Sequence, residues 1–468
     1  MNQNQVPWRE RISYGLGDTA SNLIFQMTTL YLMYFYTDVF GLNPGAVATL
    51  FLVARVIDAI VEPFIGVMID RTQSKWGKCR PYFLWLAIPF GITAVLMFLT
   101  PDFGDTGKLV YAYITYTVLG IMYSGINLPL SAILPSLTSD SNERTVVNTV
   151  RMVFAIFGVI TVSAGTMPLV NAFGGGNQAK GFIVTMVLFA VIAMLLFLNM
   201  FVNTKERVKA IDEKPLPMRE GVKALKGNTP WLIMLLLGLF LWITTSIQGQ
   251  TSIYYMTYYL KKPELIPIVN SMQLLMIVTM VFAPMAVKKI GKRNTIIIGS
   301  VVSILGYIVA IIGGNALSVP MLLTGLLISG LGMGAGAGLI FAMMADTVDY
   351  GEWKSGVRAQ GLLYSASSFG VKVGMGLGGA LGGWILSLGG YVANSTAQSD
   401  SALAAISFNY LWAPIIGQVI MILLLLFYRL DKIQPVMLKE LEERRNQSLA
   451  FLDEKERNRH ENTHTTAY

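Results

Sequence analysis

Apolar residues run through this chain in blocks of about 20 or more, separated by shorter polar stretches. A helix needs blocks of that length to cross a hydrocarbon layer about 30 Å thick. The pattern predicts twelve spans, at 12–40, 44–69, 81–100, 109–136, 148–173, 181–203, 231–259, 266–287, 294–313, 318–345, 358–391 and 402–429. The longest polar interruption ahead of the tail, TKERVKAIDEKPLPMREGVKALKGNT (204–229), divides six spans from six. The expected organisation is an N-terminal six-helix bundle (1–203), a linker (204–229), a C-terminal six-helix bundle (230–430) and a polar tail (431–468). Faint internal symmetry supports two parallel repeats. The basic loop DRTQSKWGKCRP (70–81) follows span 2 as KKIGKRN (288–294) follows span 8, and SDSNER (139–144) follows span 4 as ADTVDYGEW (345–353) follows span 10. The fold class is therefore an all-α membrane protein.

Composition agrees. Of 468 residues, 54% are hydrophobic and 13% charged, about half the charge of a soluble domain. The net charge of +8 is a matter of topology rather than nucleic-acid binding. Basic residues gather at the N-terminus, at Arg71, Lys75, Lys78 and Arg80, at Arg144, through 205–226, at Lys288, Lys289, Lys292 and Arg293, at Lys354 and Arg358, and from Arg429 on. The intervening loops hold little beyond Lys108, Lys180, Lys261 and Lys262, which places both termini in the cytoplasm of a bacterial inner-membrane protein. No cleavable signal precedes the first span, so that span is expected to stay. The tail, with KELEERRNQSLAFLDEKERNRHE, could form a short charged helix, and its charge density favours a solvated extension. Cys79 is the single cysteine, and His460 and His464 both lie in the tail, so an intramolecular disulfide, a cysteine-ligated cluster and the usual Cys/His or His/Asp catalytic pairs are excluded from the spans. With no P-loop either, an ATP-driven pump and an enzyme are both disfavoured, and no cofactor is expected.

What remains chemically active is a small set of ionisable residues at membrane depth, each costing on the order of 2.5–3.5 kcal/mol unless it faces a partner or a wet cavity. Within VARVIDAIVEPFIG, Arg55, Asp58 and Glu62 are spaced three and four apart and share one helical face. Arg55 could simply neutralise Asp58, but one arginine cannot satisfy two acids, and an acid left over in low dielectric gains affinity for a proton or metal cation. Asp58 and Glu62 are thus the expected cation seat, with Arg55 as charge partner. Further candidates are Asp18 and Asn22 on span 1, Tyr123, Ser124 and Asn127 on span 4, Arg151 on span 5 and Lys372 on span 11. Three acids (Asp18, Asp58, Glu62) against three bases (Arg55, Arg151, Lys372) suit convergence on one internal cavity. Asp18 as a packing residue near the helix end and Arg151 snorkelling to the interface are the alternatives. Gly374, Gly376 and Gly379 match GxGxxG, but no strand precedes them, so close helix packing is expected instead of a dinucleotide site. Tyr31, Tyr34, Tyr123, Tyr254, Tyr255 and Trp384 could stack on a sugar ring or pack between helices.

The strings YGLGDTASN (14–22), YFYTDVFG (34–41), FLVARVIDAIVEP (51–63), DRTQSKWGKCRP (70–81), NER (142–144) with Arg151, and ADTVDYGEW (345–353) resemble the glycoside-pentoside-hexuronide:cation symporters, in that family's order along nearly the whole chain. The resemblance implies a major facilitator fold and secondary active sugar uptake by alternating access, in a monomer within membrane lipid. It places the cation on spans 2 and 4, at Asp58, Glu62, Ser124 and Asn127. Glu62 stands where the family pattern has a second aspartate, Val61 replaces an asparagine, Ser124 a threonine and Asn127 an acid. A cage with fewer oxygens favours H+ over Na+, with no resident metal unless Na+ sits at Asp58 and Glu62. Asn22, Arg151 and Lys372 match sugar-binding positions, to which Asp18, Tyr123 and Asn127 are added. Asp70, Arg71, Lys78, Arg80, Asp346, Asp349 and Glu352 fall in the two loop motifs assigned to conformational gating. Amides at 22 and 127 make the pocket more positive, which admits a hexuronide, while a neutral pentoside or glycoside fits as well. A lysolipid transporter of the same fold is the competing expectation.

Overall fold

A computed structural model describes residues 5–138, 140–207, 225, 227–272, 275–356, 360–395, 397–431 and 433–444. Most of the 204–229 linker, Arg358, and the tail from 445 lie outside the described residues. So does the side chain of Asp70.

Among the described residues all regular structure is helical. The first half comprises α1 (Trp8–Leu30), α2 (Pro44–Arg71), α3 (Arg80–Met97), α4 (Asp105–Ala132), α5 (Ser141–Gly174) and α6 (Gln178–Asn203). The second comprises α7 (Thr229–Tyr254), α8 (Ile266–Met272), α9 (Met276–Asn315), α10 (Val319–Ser355), α11 (Gln360–Leu388), α12 (Asp400–Ser407) and α13 (Ala413–Phe427). Starts are written in the sequence. Asn43, Asn177 and Asn228 each turn a side-chain oxygen onto the first backbone N–H groups of α2, α6 and α7, and Pro44 and Pro230 occupy first-turn positions where no N–H is needed.

Among the described residues, eight helices are long and apolar enough to cross a membrane by length and composition. One of them, Pro263–Asn315, has 53 residues, about twice what a crossing requires, and it breaks at Gly291, whose φ of 81° lies outside the helical region. Predicted spans 8 and 9 are its two arms. With α1, α2 and α10 the twelve crossings are complete. Phe64, Ile114, Leu195 and Phe427 are 59–71% exposed on this surface, as lipid-facing side chains are.

The repeat is visible in backbone detail. After α1, residues Phe35–Val39 form a π turn closed by Phe40 N to Phe35 O and Leu42 N to Tyr36 O. After α7, Tyr255–Tyr259 form another, closed by Leu260 N to Tyr255 O and Lys262 N to Met256 O. The first helix of each half therefore ends the same way.

In the first half α1 packs on α5 and α6, α2 on α4, and α3 on α4 and α6. In the second, α7 packs on α11 and α13, and α9 on α10. The halves meet where α2 runs along α11, α1 touches α7, and α5 touches α8. The glycines of α11 make this possible. A Cβ at Gly374 would come within 2.6 Å of the Leu239 carbonyl oxygen of α7, and one at Gly376 within 2.8 Å of Arg55 Cβ of α2. The GxGxxG match is thus a two-sided packing helix.

The ends of the helices define two faces. The basic face carries the loops at 72–79, 138–140 and Gly356; the far face carries those at 40–43, 98–104, 175–177, 260–262 and 389–399. The tail follows the helical alternative over its first residues. Its start, 433–444, is helical and docked on the basic face of the second half, with Met437 and Leu441 buried, Gln434 donating to Asp346 and Trp353 donating to Glu440. Apolar side chains spaced four apart on an otherwise charged segment explain the docking.

Candidate functional site

The ionisable residues of the spans sit near the middle of their helices, and the three acids and three bases resolve into three pairs. Arg151 of α5 donates from Nε to Asp18 Oδ2 at 2.8 Å and from Nη1 to the Tyr14 hydroxyl at 3.3 Å. With side chains only 20% and 14% exposed, Arg151 and Asp18 hold one another inside the first half, so neither snorkelling nor helix-end packing describes them. Arg55 approaches Asp58 less closely, Nη1 to Oδ2 at 3.4 Å, one turn along α2. Lys372 of α11 forms an ion pair with Glu62 of α2, joining the two halves.

That third pair revises the reading of α2. One of its acids was expected to lack a base; Lys372 supplies it, from 310 residues away. Glu62 and Lys372, expected on the cation and sugar sides respectively, are one unit. The acid with the weaker partnership is Asp58. Its Oδ1 is buried without a hydrogen-bond partner and lies against Gly120 of α4, where no side chain intervenes. A buried carboxylate oxygen with no donor is the exception that calls for an explanation, and a site that accepts a cation is one.

On α4, Ser124 is buried, and the Asn127 amide donates to the Tyr123 hydroxyl at 2.8 Å. Tyr123 stacks on Phe25 of α1 with ring centroids 5.3 Å apart and stands within electrostatic reach of Asp18, Arg55 and Arg151. It links two of the three pairs. The Asn22 amide donates to the Asp18 carbonyl at 2.9 Å, and Gly158 of α5 lets that helix approach Asn22. Where the halves meet above Arg55, a cavity of about 20 Å³ is bordered by Thr28, Arg55, Tyr116, Ser246 and Gln250, which is too small for a sugar ring. Of the six aromatic candidates, Tyr31, Tyr34, Tyr254 and Tyr255 are buried as packing, Trp384 donates to Thr49 at 3.3 Å, and Tyr123 alone belongs to the charged cluster. Among the described residues no three His, Cys, Asp or Glu side chains gather as a metal site.

The far face holds a feature sequence reasoning missed. Asp38, at the end of the π turn after α1, is 5% exposed. Its Oδ1 accepts hydrogen bonds from the hydroxyls of Tyr258 and Tyr391 (the latter 2.6 Å) and from the Asn394 backbone N–H at 3.3 Å, all from the second half. Thr37 beside it is 2.6 Å from the Tyr254 hydroxyl. The signal was present in YFYTDVFG, an acid set among aromatics at a span end, but it was read only as a matching string.

On the basic face Lys78, Arg80 and Asp346 are engaged within their own halves. Glu206 accepts from the backbone N–H groups of Lys78, Cys79 and Arg80 at 2.9, 2.8 and 3.0 Å, and Arg80 donates from Nη2 to the Phe201 carbonyl at 2.7 Å. Lys292 pairs with Asp346 at 2.5 Å. Arg71 ends α2, and Asp349 and Glu352 lie in the last turns of α10. Glu206 was missed because it falls in the segment read as linker; its neighbour Arg207 pairs with Glu10 at 2.6 Å, so the first residues of that segment belong to the first half. Polar contacts between the halves run from the far face, at Asp38 and Tyr31, down to Glu62–Lys372.

Comparison with known proteins shows the family and the fold. The family described as MFS/sugar transport protein matches residues 13–432. An isoprimeverose transporter of Lactiplantibacillus pentosus is 45% identical over 97% of this chain and 95% of its own length. A glucuronide carrier protein homolog of Escherichia coli is 32% identical over 95% and 97%. Among solved structures, a bacterial homolog of the human lysosomal transporter Spinster, inward-facing and unoccupied, superposes with a TM-score of 0.69 over 90% of this chain and 96% of its own at 13% identity, a likeness of fold alone. The relatives are transporters and not enzymes. The chain belongs to the MFS/sugar transport family, within the glycoside-pentoside-hexuronide:cation symporters of the major facilitator fold.

Proposed function

We propose that this chain imports a glycoside by symport with H+, binding the sugar between Asp18, Asn22, Tyr123, Asn127 and Arg151 and the cation at Asp58 and Glu62. The observation that carries the reading is the set of three ion pairs within the helices, one of which ties the halves together. A proton suits that set better than Na+. Protonating Glu62 removes the charge that holds Lys372, whereas Na+ would have to displace an ammonium and still collect several oxygens, and the Asn127 amide is turned to Tyr123. The positive-inside rule supports a cytoplasmic basic face with both termini on the cytoplasmic side of a bacterial inner membrane, and the polar contacts that join the halves on the far-face side support a state closed on that side. Ion pairs enclosed between helices argue against the lysolipid reading, which calls for a lipid-facing apolar cleft. Among neutral and acidic sugars, the 45% relative favours isoprimeverose or a near neutral glycoside.

Uptake of isoprimeverose and of a glucuronide into proteoliposomes, under an imposed H+ or Na+ gradient, tests this. Accumulation of isoprimeverose under the H+ gradient, lost in Asp58→Asn while downhill exchange survives, is the expected result. Accumulation in D58N, or under Na+ alone, refutes the coupling assignment.

A further inference from the structure

The small polar cavity where the halves meet is bordered by groups whose hydrogen-bonding needs do not balance. On α7, Gln250 is 6% exposed, and its Nε2 donates to Ser246 Oγ at 3.2 Å. Ser246 itself donates to the Met375 carbonyl at 3.2 Å, so its oxygen is the acceptor and the Gln250 amide is fixed with Nε2 toward it. That leaves Gln250 Oε1 buried with no hydrogen-bond partner, an acceptor that calls for a donor. Across the cavity the imbalance is reversed. The Arg55 guanidinium carries five N–H donors, uses one on the long 3.4 Å bond to Asp58 and stands beside Tyr116, with donors to spare.

Two glycines of α11 let these groups face each other. A Cβ at Gly376 would lie 2.8 Å from Arg55 Cβ, and one at Gly379 would lie 3.2 Å from Gln250 Nε2. Spaced three apart, they share one side of α11 and clear a window between α2 and α7. The space left, about 20 Å³, holds one water, which needs roughly 10–15 Å³ and two to four polar partners. Thr28, Arg55, Tyr116, Ser246 and Gln250 supply those partners from both halves. We infer that Gln250 is a positioning residue for cation coupling: through a single water in this cavity its Oε1 accepts from Arg55 and draws the guanidinium off Asp58. The inference rests on the proposed role of Asp58 and adds the group that adjusts it. A guanidinium held against a carboxylate opposes any second cation there, so the acceptor on α7 sets how strongly Arg55 competes with the coupling ion. The other charged or titratable groups facing Asp58 and Arg55 are Glu62 on α2, Lys372 on α11, and Tyr116 and Tyr123 on α4; α7 turns the neutral pair Ser246 and Gln250 to them.

Isoprimeverose uptake into proteoliposomes carrying the full chain, measured against external H+ in Na+-free buffer and against Na+ at fixed pH, tests this. Binding gives the same quantity without transport, as thermal stabilisation of the purified chain by isoprimeverose over the same cation series. Gln250→Leu offers no acceptor, so Arg55 turns to Asp58 and the half-maximal cation concentration should rise on the order of tenfold, the size of one hydrogen bond to a charged group. In Arg55→Gln there is no guanidinium to draw off, so adding Q250L should shift that concentration no further. Gln248→Leu removes the same side chain two residues away, where its Oε1 accepts from Tyr307 at 3.0 Å inside the second half, and should leave cation dependence unchanged. An unshifted Q250L, a further shift in the double variant, or an equal shift in Q248L overturns the inference. Should Q250L fail to fold, Gln250→Glu decides: a carboxylate there holds Arg55 more strongly and should lower the half-maximal concentration, and an unchanged or raised value overturns the inference. Run alongside, D58N separates this from the coupling reading. Accumulation in D58N sinks that reading and this inference with it, whereas lost accumulation in D58N with an unshifted Q250L refutes the role of Gln250 alone.

Discussion

Adding one methyl group to α4, remote from every charged atom in the sequence, should weaken cation coupling. At Gly120 a Cβ would stand 3.1 Å from Asp58 Cγ and nearer still to Oδ1, where ordinary contacts begin at about 3.4 Å, so the carboxylate has to move by roughly 1 Å. Overpacking of this kind costs about 1–3 kcal/mol. A shift along α2 toward Arg55, whose Nη1 is 3.4 Å away, would turn Asp58 in Gly120→Ala from a loosely held acid into a tightly paired one. If about 1.4 kcal/mol of that is lost from cation binding, the cation concentration at half-maximal uptake rises roughly tenfold. Helix propensity favours alanine over glycine, so folding is not the expected casualty. Gly125→Ala is the matched control: it adds the same methyl to the same helix, but against the end of Leu86, which can swing aside. Uptake in proteoliposomes as a function of external cation, at fixed sugar, reads the difference. Wild-type cation dependence in G120A, or an equal shift in G125A, would show that the Asp58–Gly120 contact has no part in coupling.

Two further perturbations follow from the contacts between halves. Lys372→Ala leaves Glu62 unpaired; losing one partner of a buried pair costs about 3–5 kcal/mol, and with both side chains about a quarter exposed a loss of ~2–3 kcal/mol is expected, depressing uptake on the order of a hundredfold. Pairing it with Glu62→Gln should restore non-accumulating exchange, and a double variant as defective as K372A would rule out charge pairing as the cause. At the far face, Asp38→Asn removes the charge that three donors of the second half share, each such bond contributing about 1.5–3 kcal/mol. A cysteine placed at the buried Ser246 should then react faster with a membrane-impermeant maleimide added from the far side; unchanged labelling means Asp38 does not hold that side shut.

The sequence was legible wherever the bilayer or the helix repeat imposes a rule. Twenty-residue apolar blocks located the spans, and offsets of three and four put Arg55, Asp58 and Glu62 on one face. Counting charges anticipated balance but not pairing, because Glu62 meets Lys372 only through the docking of α2 on α11, and local spacing carries no information about a contact 310 residues apart. Asp38 and Glu206 escaped for the same reason: each is an unremarkable acid in a loop or helix end until a partner from another element closes on it. The pairing changes the mechanism that charge counting suggests. A surplus acid would bind a cation by simple attraction, whereas in a set where each acid already has a base, an incoming cation must compete with one. On the proposed reading that competitor is Lys372, and because it belongs to the other half, the step that binds the cation is also the step that loosens α2 from α11. Coupling and movement then share one contact, which is why the K372A and E62Q pair, rather than either residue alone, is the sharper test of how this transporter works.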